Sequence, residues 1–239
     1  MSPHNPGLYL RSGLFSMLFV LSVVVYAGLA LLIAPLPFCH RYRLLTTWAD
    51  LNLWFSAHIC RLDYQVEGLE NIPDRPSIIM AAHQSTWETL ALQQLFPPLA
   101  WVIKRELLWI PFFGWGLALI APIAIDRRTG RIASEQLIDK GCARLESGRW
   151  VVVFPQGTRV SFGERPAYKL GGARLAASAN APVVPVAHNA GRYWPRRRFL
   201  KYPGTITVRI GPAIHPHGKS PEMISAEVKR WIEATEASL

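Results

Sequence analysis

Between Gly13 and Ala34 the chain carries no charged residue, and this stretch limits what the rest can fold into. Its 22 residues at about 1.5 Å each make roughly 33 Å of helix, enough to cross a hydrocarbon core. A cleaved secretory signal would end in a small-residue site after a shorter apolar run. Ala34-Pro35-Leu36-Pro37 fits such a site poorly, so the segment reads as a retained membrane anchor. Basic residues flank it on both sides, Arg11 before it and Arg41 and Arg43 after it. The bias of positive charge that orients spanning helices therefore gives no clear direction, and a two-helix hairpin entering one leaflet stays open.

A second helix is expected directly after the anchor. Leu44, Trp48, Leu51, Phe55, Ile59 and Leu62 recur at helical spacing, with Arg43, Thr47, Asp50, His58 and Arg61 on the other side. Such a helix either lies among lipid headgroups or packs as an ordinary core helix.

From Asp63 onward short apolar runs alternate with helical stretches. Strands are expected at 64–66, 77–81, 101–103, 122–125, 150–154, 183–187 and 205–210, and helices at 86–95, 131–146, 173–179 and 221–237. Ser220 followed by Pro221 is a cap and first-turn signal for the last of these. The alternation predicts the α/β class, a mixed, largely parallel sheet covered by helices, with an N-terminal membrane-associated helical segment. Residues 1–62 would be the anchor and amphipathic helix, and 63–239 one catalytic domain. The segment 192–204 mixes Arg192, Arg196, Arg197, Arg198 and Lys201 with Tyr193, Trp194, Phe199 and Tyr202, and reads as a basic aromatic loop. Ala181 to His188, an apolar strand with two prolines, reads as a sheet edge or structural turn.

Charge and cysteine usage narrow the function classes. Lys and Arg number 26 against 16 Asp and Glu, a net +10, while half the residues are hydrophobic and only 18% charged. The excess favours polyanions, and the apolar content favours a membrane among them. No helix-turn-helix, zinc or RNA-binding signature accompanies the charge, which argues against nucleic acid. Cys39, Cys60 and Cys142 are widely spaced and odd in number, which suggests neither disulfides nor a zinc site.

Four segments carry candidate chemistry. In Ala81-Ala82-His83-Gln84-Ser85-Thr86-Trp87-Glu88 an apolar strand runs into a helix, the kind of turn where α/β folds place reactive groups. With His83 on the turn and Glu88 one turn into the helix, the carboxylate can bend back, fix the imidazole tautomer and stabilise the imidazolium. A structurally satisfied histidine is the alternative. Phe154-Pro155-Gln156-Gly157-Thr158-Arg159 ends another apolar strand; Gly157 permits close backbone approach and the Arg159 fork suits phosphate oxygens, unless it is a turn with a solvated arginine. Lys104-Arg105-Glu106-Leu107 places cations after a third strand, where a solvated face is the simpler reading. The fourth is the Ala181 to His188 strand.

Jointly and in this order, the four blocks resemble the glycerophospholipid acyltransferase family, most closely its bacterial 1-acyl-sn-glycerol-3-phosphate (lysophosphatidate) acyltransferases, over about residues 60 to 215. The family's HxxxxD motif is matched by His83 and Glu88, with Glu for Asp; its FPEGTR block is matched by 154–159, with Gln156 for the Glu; its KxEL pattern is matched from Lys104. The resemblance implies His83 as general base and Glu88 as its orienting acid. It implies Ser85, Lys104, Gln156, Gly157, Thr158 and Arg159 as substrate-binding residues, the cations on the acceptor's phosphate. Ala82 stands where the family often has Asn. The implied reaction moves an acyl group from acyl-CoA or acyl-carrier protein to the sn-2 hydroxyl of lysophosphatidate, making phosphatidic acid without metal or cofactor. The implied location is a membrane, the bacterial inner membrane with the catalytic domain on the cytoplasmic side. Glycerol 3-phosphate, other lysophospholipids and lyso-ornithine lipid remain alternative acceptors, and an inert module holding anionic lipid remains an alternative of another class.

Overall fold

The computed structural model describes residues 5–239. The chain begins with α1 (Pro6–Ile33) and α2 (Phe38–Cys60), then runs β1 (Leu62–Glu67), β2 (Ile78–Ala81), α3 (Trp87–Leu95), β3 (Leu99–Lys104), α4 (Phe113–Leu119), β4 (Ile123–Ile125) and α5 (Arg131–Glu146). It continues through β5 (Trp150–Val153), α6 (Gly171–Ala179), β6 (Val183–His188), α7 (Ala190–Tyr193), β7 (Gly204–Ile210) and α8 (Pro221–Glu236). The strands form one sheet in the order β1-β7-β6-β2-β5-β3-β4. Every neighbouring pair is parallel except β6 with β7. The expected class and all seven expected strands are present.

The central strands β2, β5 and β6 are buried at every position, because helices cover both faces and an unbroken apolar run suits both. On one face Ile79, Trp101 and Val152 pack with Leu53 of α2, Leu90 of α3 and Trp194. On the other, Met80, Val102 and Val151 pack with Leu137 of α5, Leu175 of α6 and Val228 of α8. Strand β7 alternates buried with more exposed positions, and the edge strand β1 is buried only at Leu62. Helix α8 opens as expected, with the Ser220 side chain accepting from the Met223 amide and Pro221 in the first turn.

Four expectations need correction. The apolar helix begins at Pro6, not Gly13, and takes in Arg11. The buried line of α2 runs through Tyr42, Leu45, Ala49, Leu53, Ser56 and Cys60, one residue round from the expected stripe. Leu44 is exposed and Leu62 belongs to β1, because Arg61 turns left-handed at φ 54° and ends the helix. Helix α2 therefore packs as a core helix against α1 and α3. Strand β6 is an interior strand despite Pro185. Its ring faces β7 just past the end of that strand at Ile210: the Pro185 carbonyl accepts from the Gly211 amide at 2.9 Å, and the proline omits only the return bond of that pair. Finally, the first two residues of the basic segment, Arg192 and Tyr193, belong to α7 while 194–203 is loop as expected, and Lys201 within that loop is buried.

Lys201 helps hold α1 to the domain. Its amide donates to Ser12 Oγ at 3.0 Å and its ammonium to Ser16 Oγ at 3.0 Å and the Phe199 carbonyl at 2.8 Å. The ammonium also sits 5.4–5.5 Å from the ring centres of Phe15, Trp194 and Phe199. Across the helix pair, Trp48 Nε1 donates to Ser22 Oγ at 2.9 Å and the Tyr26 and Thr47 hydroxyls meet at 2.8 Å. The outward face of α1 exposes Leu10, Met17, Val20, Val25 and Leu32, and by length and composition this helix could cross a membrane.

Ser12→Ala strands the buried Lys201 amide without its acceptor, a loss of about 1–3 kcal/mol. The expected result in detergent is a thermal midpoint lower by several degrees, at about 2–4 °C per kcal/mol for a chain of this size. An unchanged midpoint would show that this contact does not hold α1.

Candidate active site

The carboxyl ends of three adjacent parallel strands, β2, β5 and β3, deliver the three chemical motifs to one edge of the sheet. His83 follows β2, the 154–159 turn follows β5, and Lys104 closes β3. This is where open α/β sheets place ligands.

The turn after β2 is built around a carboxylate. Glu88 sits in the first turn of α3, with its side chain only 1% exposed. One oxygen accepts from His83 Nδ1 at 2.8 Å and from the Gln84 amide at 3.0 Å, and both oxygens accept from the Ser85 amide at 2.9 Å. Burial pushes the Glu88 carboxyl upward, but the bonds from His83 and Ser85 outweigh it and hold the group below its ordinary range. An ionised acceptor at Nδ1 places the proton on that nitrogen. Nε2 is left as the basic atom of His83, and it has no hydrogen bond among the described residues.

The 154–160 turn grips His83 from the other side. Gln156 Oε1 accepts the His83 amide at 3.0 Å, and the His83 carbonyl accepts from the Val160 amide at 2.8 Å. Phe154 stacks on the imidazole with ring centres 3.9 Å apart and planes 12° from parallel, which fixes the plane of the ring. Arg159 Nε donates to the Ser85 carbonyl at 2.7 Å, which leaves the outer guanidinium nitrogens for a ligand. Gly157 lies at φ 71°, a left-handed conformation that favours glycine in this turn.

A cavity of ≈ 520 Å³ opens at this edge. His83, Lys104, Gly157, Thr158 and Arg159 line its polar end, and Val23, Ala27, Leu45, Ala49, Leu117 and Ile120 line an apolar body between α1, α2 and α4. Two of the expected substrate-binding residues are not among the lining. Ser85 is fully buried and its hydroxyl accepts from the Trp87 amide; Gln156 is buried and turned to the His83 backbone. Arg196 and Arg197 do line the cavity, although sequence reading placed them only in a basic loop. Their shared edge with His83 follows from β6 lying beside β2, a pairing that no local spacing signals.

A second layer supports the turn. Gln84 Nε2 donates to the His188 carbonyl at 3.0 Å and to Glu236 Oε1 at 2.7 Å, and its Oε1 accepts from the Gly191 amide at 2.9 Å. His188 is fully buried, donates through Nε2 to the Ala82 carbonyl at 3.0 Å and accepts from the Ala190 amide. Burial lowers its pKa, and it is a core histidine satisfied in its neutral form.

Comparison with known proteins agrees with this geometry. Residues 63–189 match the family described as Acyltransferase. The chain belongs to the acyltransferase family. It is 46% identical over 235 residues to a Pseudomonas aeruginosa protein named 1-acyl-sn-glycerol-3-phosphate acyltransferase, covering 96% of this chain and 91% of that protein. Identity to the human 1-acyl-sn-glycerol-3-phosphate acyltransferase alpha is 30% over 188 residues, 75% of this chain and 65% of the relative. The crystal structure of the Thermotoga maritima 1-acyl-sn-glycerophosphate acyltransferase superposes with a TM-score of 0.81 at 24% identity, covering 97% of this chain and 95% of that one. The acyltransferase fold is therefore shared across nearly the whole length, α1 and α2 included.

Glu236 gives a test of the second layer. Burial raises its carboxyl from 4.5 to about 7. Between those values the folded state holds a proton that the unfolded chain has released, so stability falls as pH rises through this window and levels off above it. Glu236→Gln cannot ionise and should flatten that slope, read from denaturant midpoints at about pH 5 and about pH 8. A slope identical to the parent's would remove Glu236 from the account.

Proposed function

We propose that this acyltransferase moves a fatty acyl group from an acyl thioester to the sn-2 hydroxyl of 1-acyl-sn-glycerol 3-phosphate, with His83 as general base. The observation that carries the reading is the 2.8 Å bond from His83 Nδ1 to the buried Glu88, on a residue that opens into a cavity with a cationic end and an apolar body. A phosphate-bearing acceptor matches the cationic end and a fatty acyl chain the apolar body. The naming of the Pseudomonas aeruginosa relative, at 46% identity, supports the same acceptor.

In this mechanism Arg159 and Lys104 hold the acceptor's phosphate and Gly157 and Thr158 shape its seat, which orients the free hydroxyl toward Nε2. His83 takes the hydroxyl proton as the oxygen attacks the thioester carbonyl. Glu88 stabilises the imidazolium that forms. The tetrahedral intermediate collapses by breaking the C–S bond, and the imidazolium returns its proton to the departing thiolate. The donor is acyl-CoA or acyl-carrier protein, and its chain enters the apolar body of the cavity. The acceptor is already in the bilayer, and the exposed apolar face of α1 keeps the cavity beside it. We place residues 1–62 as this membrane-bound unit and 63–239 as the acyltransferase domain, on the cytoplasmic side of a bacterial inner membrane.

The test uses purified protein in detergent or vesicles, supplied with a thioester donor and either lysophosphatidate, glycerol 3-phosphate or a lysolipid without a phosphomonoester. His83→Ala should lower kcat by about two to four orders of magnitude, and Glu88→Gln should fall in the same direction because it no longer fixes the tautomer. Transfer undiminished in His83→Ala would sink the mechanism. Arg159→Ala should raise the KM for lysophosphatidate by about tenfold, as expected for one lost charge-assisted bond. An equal loss with the acceptor lacking the phosphate would remove that assignment.

A further inference from the structure

The cavity's polar end holds more positive charge than the acceptor explains. Arg196 and Arg197 line it together with His83, Lys104 and Arg159. They come from the segment after β6, the strand beside β2, so a fourth parallel strand delivers cations to the edge where the other three deliver the motifs. Neither arginine has a salt bridge with a carboxylate among the described residues. Glu164 feels Arg196 only as a minor influence, its own carboxylate being held by Ser161. Arg196 donates through Nη1 to the Arg159 carbonyl, which fixes the loop against the phosphate-binding turn. Arg197 is exposed and lies at φ 56°. A cation that lines the cavity mouth with no carboxylate partner among the described residues is placed to meet an anionic ligand.

The reaction supplies one. Both donors, acyl-CoA and acyl-carrier protein, carry the thioester on a pantetheine arm that ends in a phosphate. With the carbonyl at His83 and the acyl chain in the apolar body, the arm must leave by the polar mouth. Lys104 and Arg159 are already engaged by the acceptor. We propose that Arg197, on a loop braced by Arg196, binds the phosphate of the donor's pantetheine arm and so forms a donor subsite separate from the acceptor's. The inference rests on the acyltransferase reading above.

The experiment compares three donors of one chain length on the purified protein in non-ionic detergent: acyl-CoA, acyl-carrier protein and S-acyl pantetheine, which lacks the phosphate. Arg197→Gly suits it, because glycine takes φ 56° without strain and keeps the loop folded. The KM for acyl-CoA and for acyl-carrier protein should each rise by about tenfold, as for one lost charge-assisted bond, while the KM for S-acyl pantetheine and for lysophosphatidate stays unchanged. Three results would overturn the subsite: equal losses with and without the phosphate, a rise in the lysophosphatidate KM instead, or no change with any donor. If the unsubstituted protein transfers from none of the three donors, the acyltransferase reading itself has failed.

Discussion

A carboxylate almost entirely removed from water organises the working end of this protein. An isolated buried charge costs several kcal/mol, so Glu88 can exist there only if enough donors converge on it. The amides of Gln84 and Ser85 and the imidazole N–H of His83 supply them, and the first turn of α3 adds its positive end. The constraint runs in both directions. The donors keep the carboxylate ionised, and the carboxylate fixes the path of the 82–86 turn, the tautomer of His83 and the start of α3.

The sheet then decides what surrounds that turn. Because β6, β2, β5 and β3 are neighbours and run the same way, their carboxyl ends bring together residues from 83 to 197 that have no sequence proximity. Cations gather at the edge, and the space behind it is walled by α1, α2 and α4. The apolar N-terminal helix is therefore a wall of the site as well as a membrane element. Its packing through Ser12, Phe15 and Lys201 ties the lipid-facing surface to the catalytic edge, which suits a reaction whose acceptor and product both stay in the bilayer.

Much of this was legible in the sequence, for reasons specific to each element. The strand runs at 78–81, 150–153 and 183–188 are buried on both faces, so they appear as unbroken apolar stretches. Ser220 and Pro221 announce α8 through local capping chemistry. Features set by tertiary contact were not visible. The buried face of α2 is chosen by two partners, α1 and α3, and small residues such as Ala49 and Ser56 fill it where helices approach closely. Pro185 suggested an edge because sequence does not reveal where its neighbour ends. Lys201 and Arg197 occupy one basic segment, yet one is buried under α1 and the other reaches the cavity rim; composition treats them alike.

Gln156 shows how geometry resolves a departure that pattern matching leaves open. The resemblance implies Gln156 as a substrate-binding residue at a position where the family usually has Glu. Its side chain instead turns back, and Oε1 accepts the His83 amide. An amide oxygen can accept that bond where a carboxylate oxygen would, so the neutral residue keeps the contact with His83 without the extra charge. It also leaves Glu88 as the one carboxylate hydrogen-bonded to the His83 ring among the described residues. The substitution is thus compatible with the proposed base chemistry, in which the cations that line the cavity would hold the acceptor's phosphate.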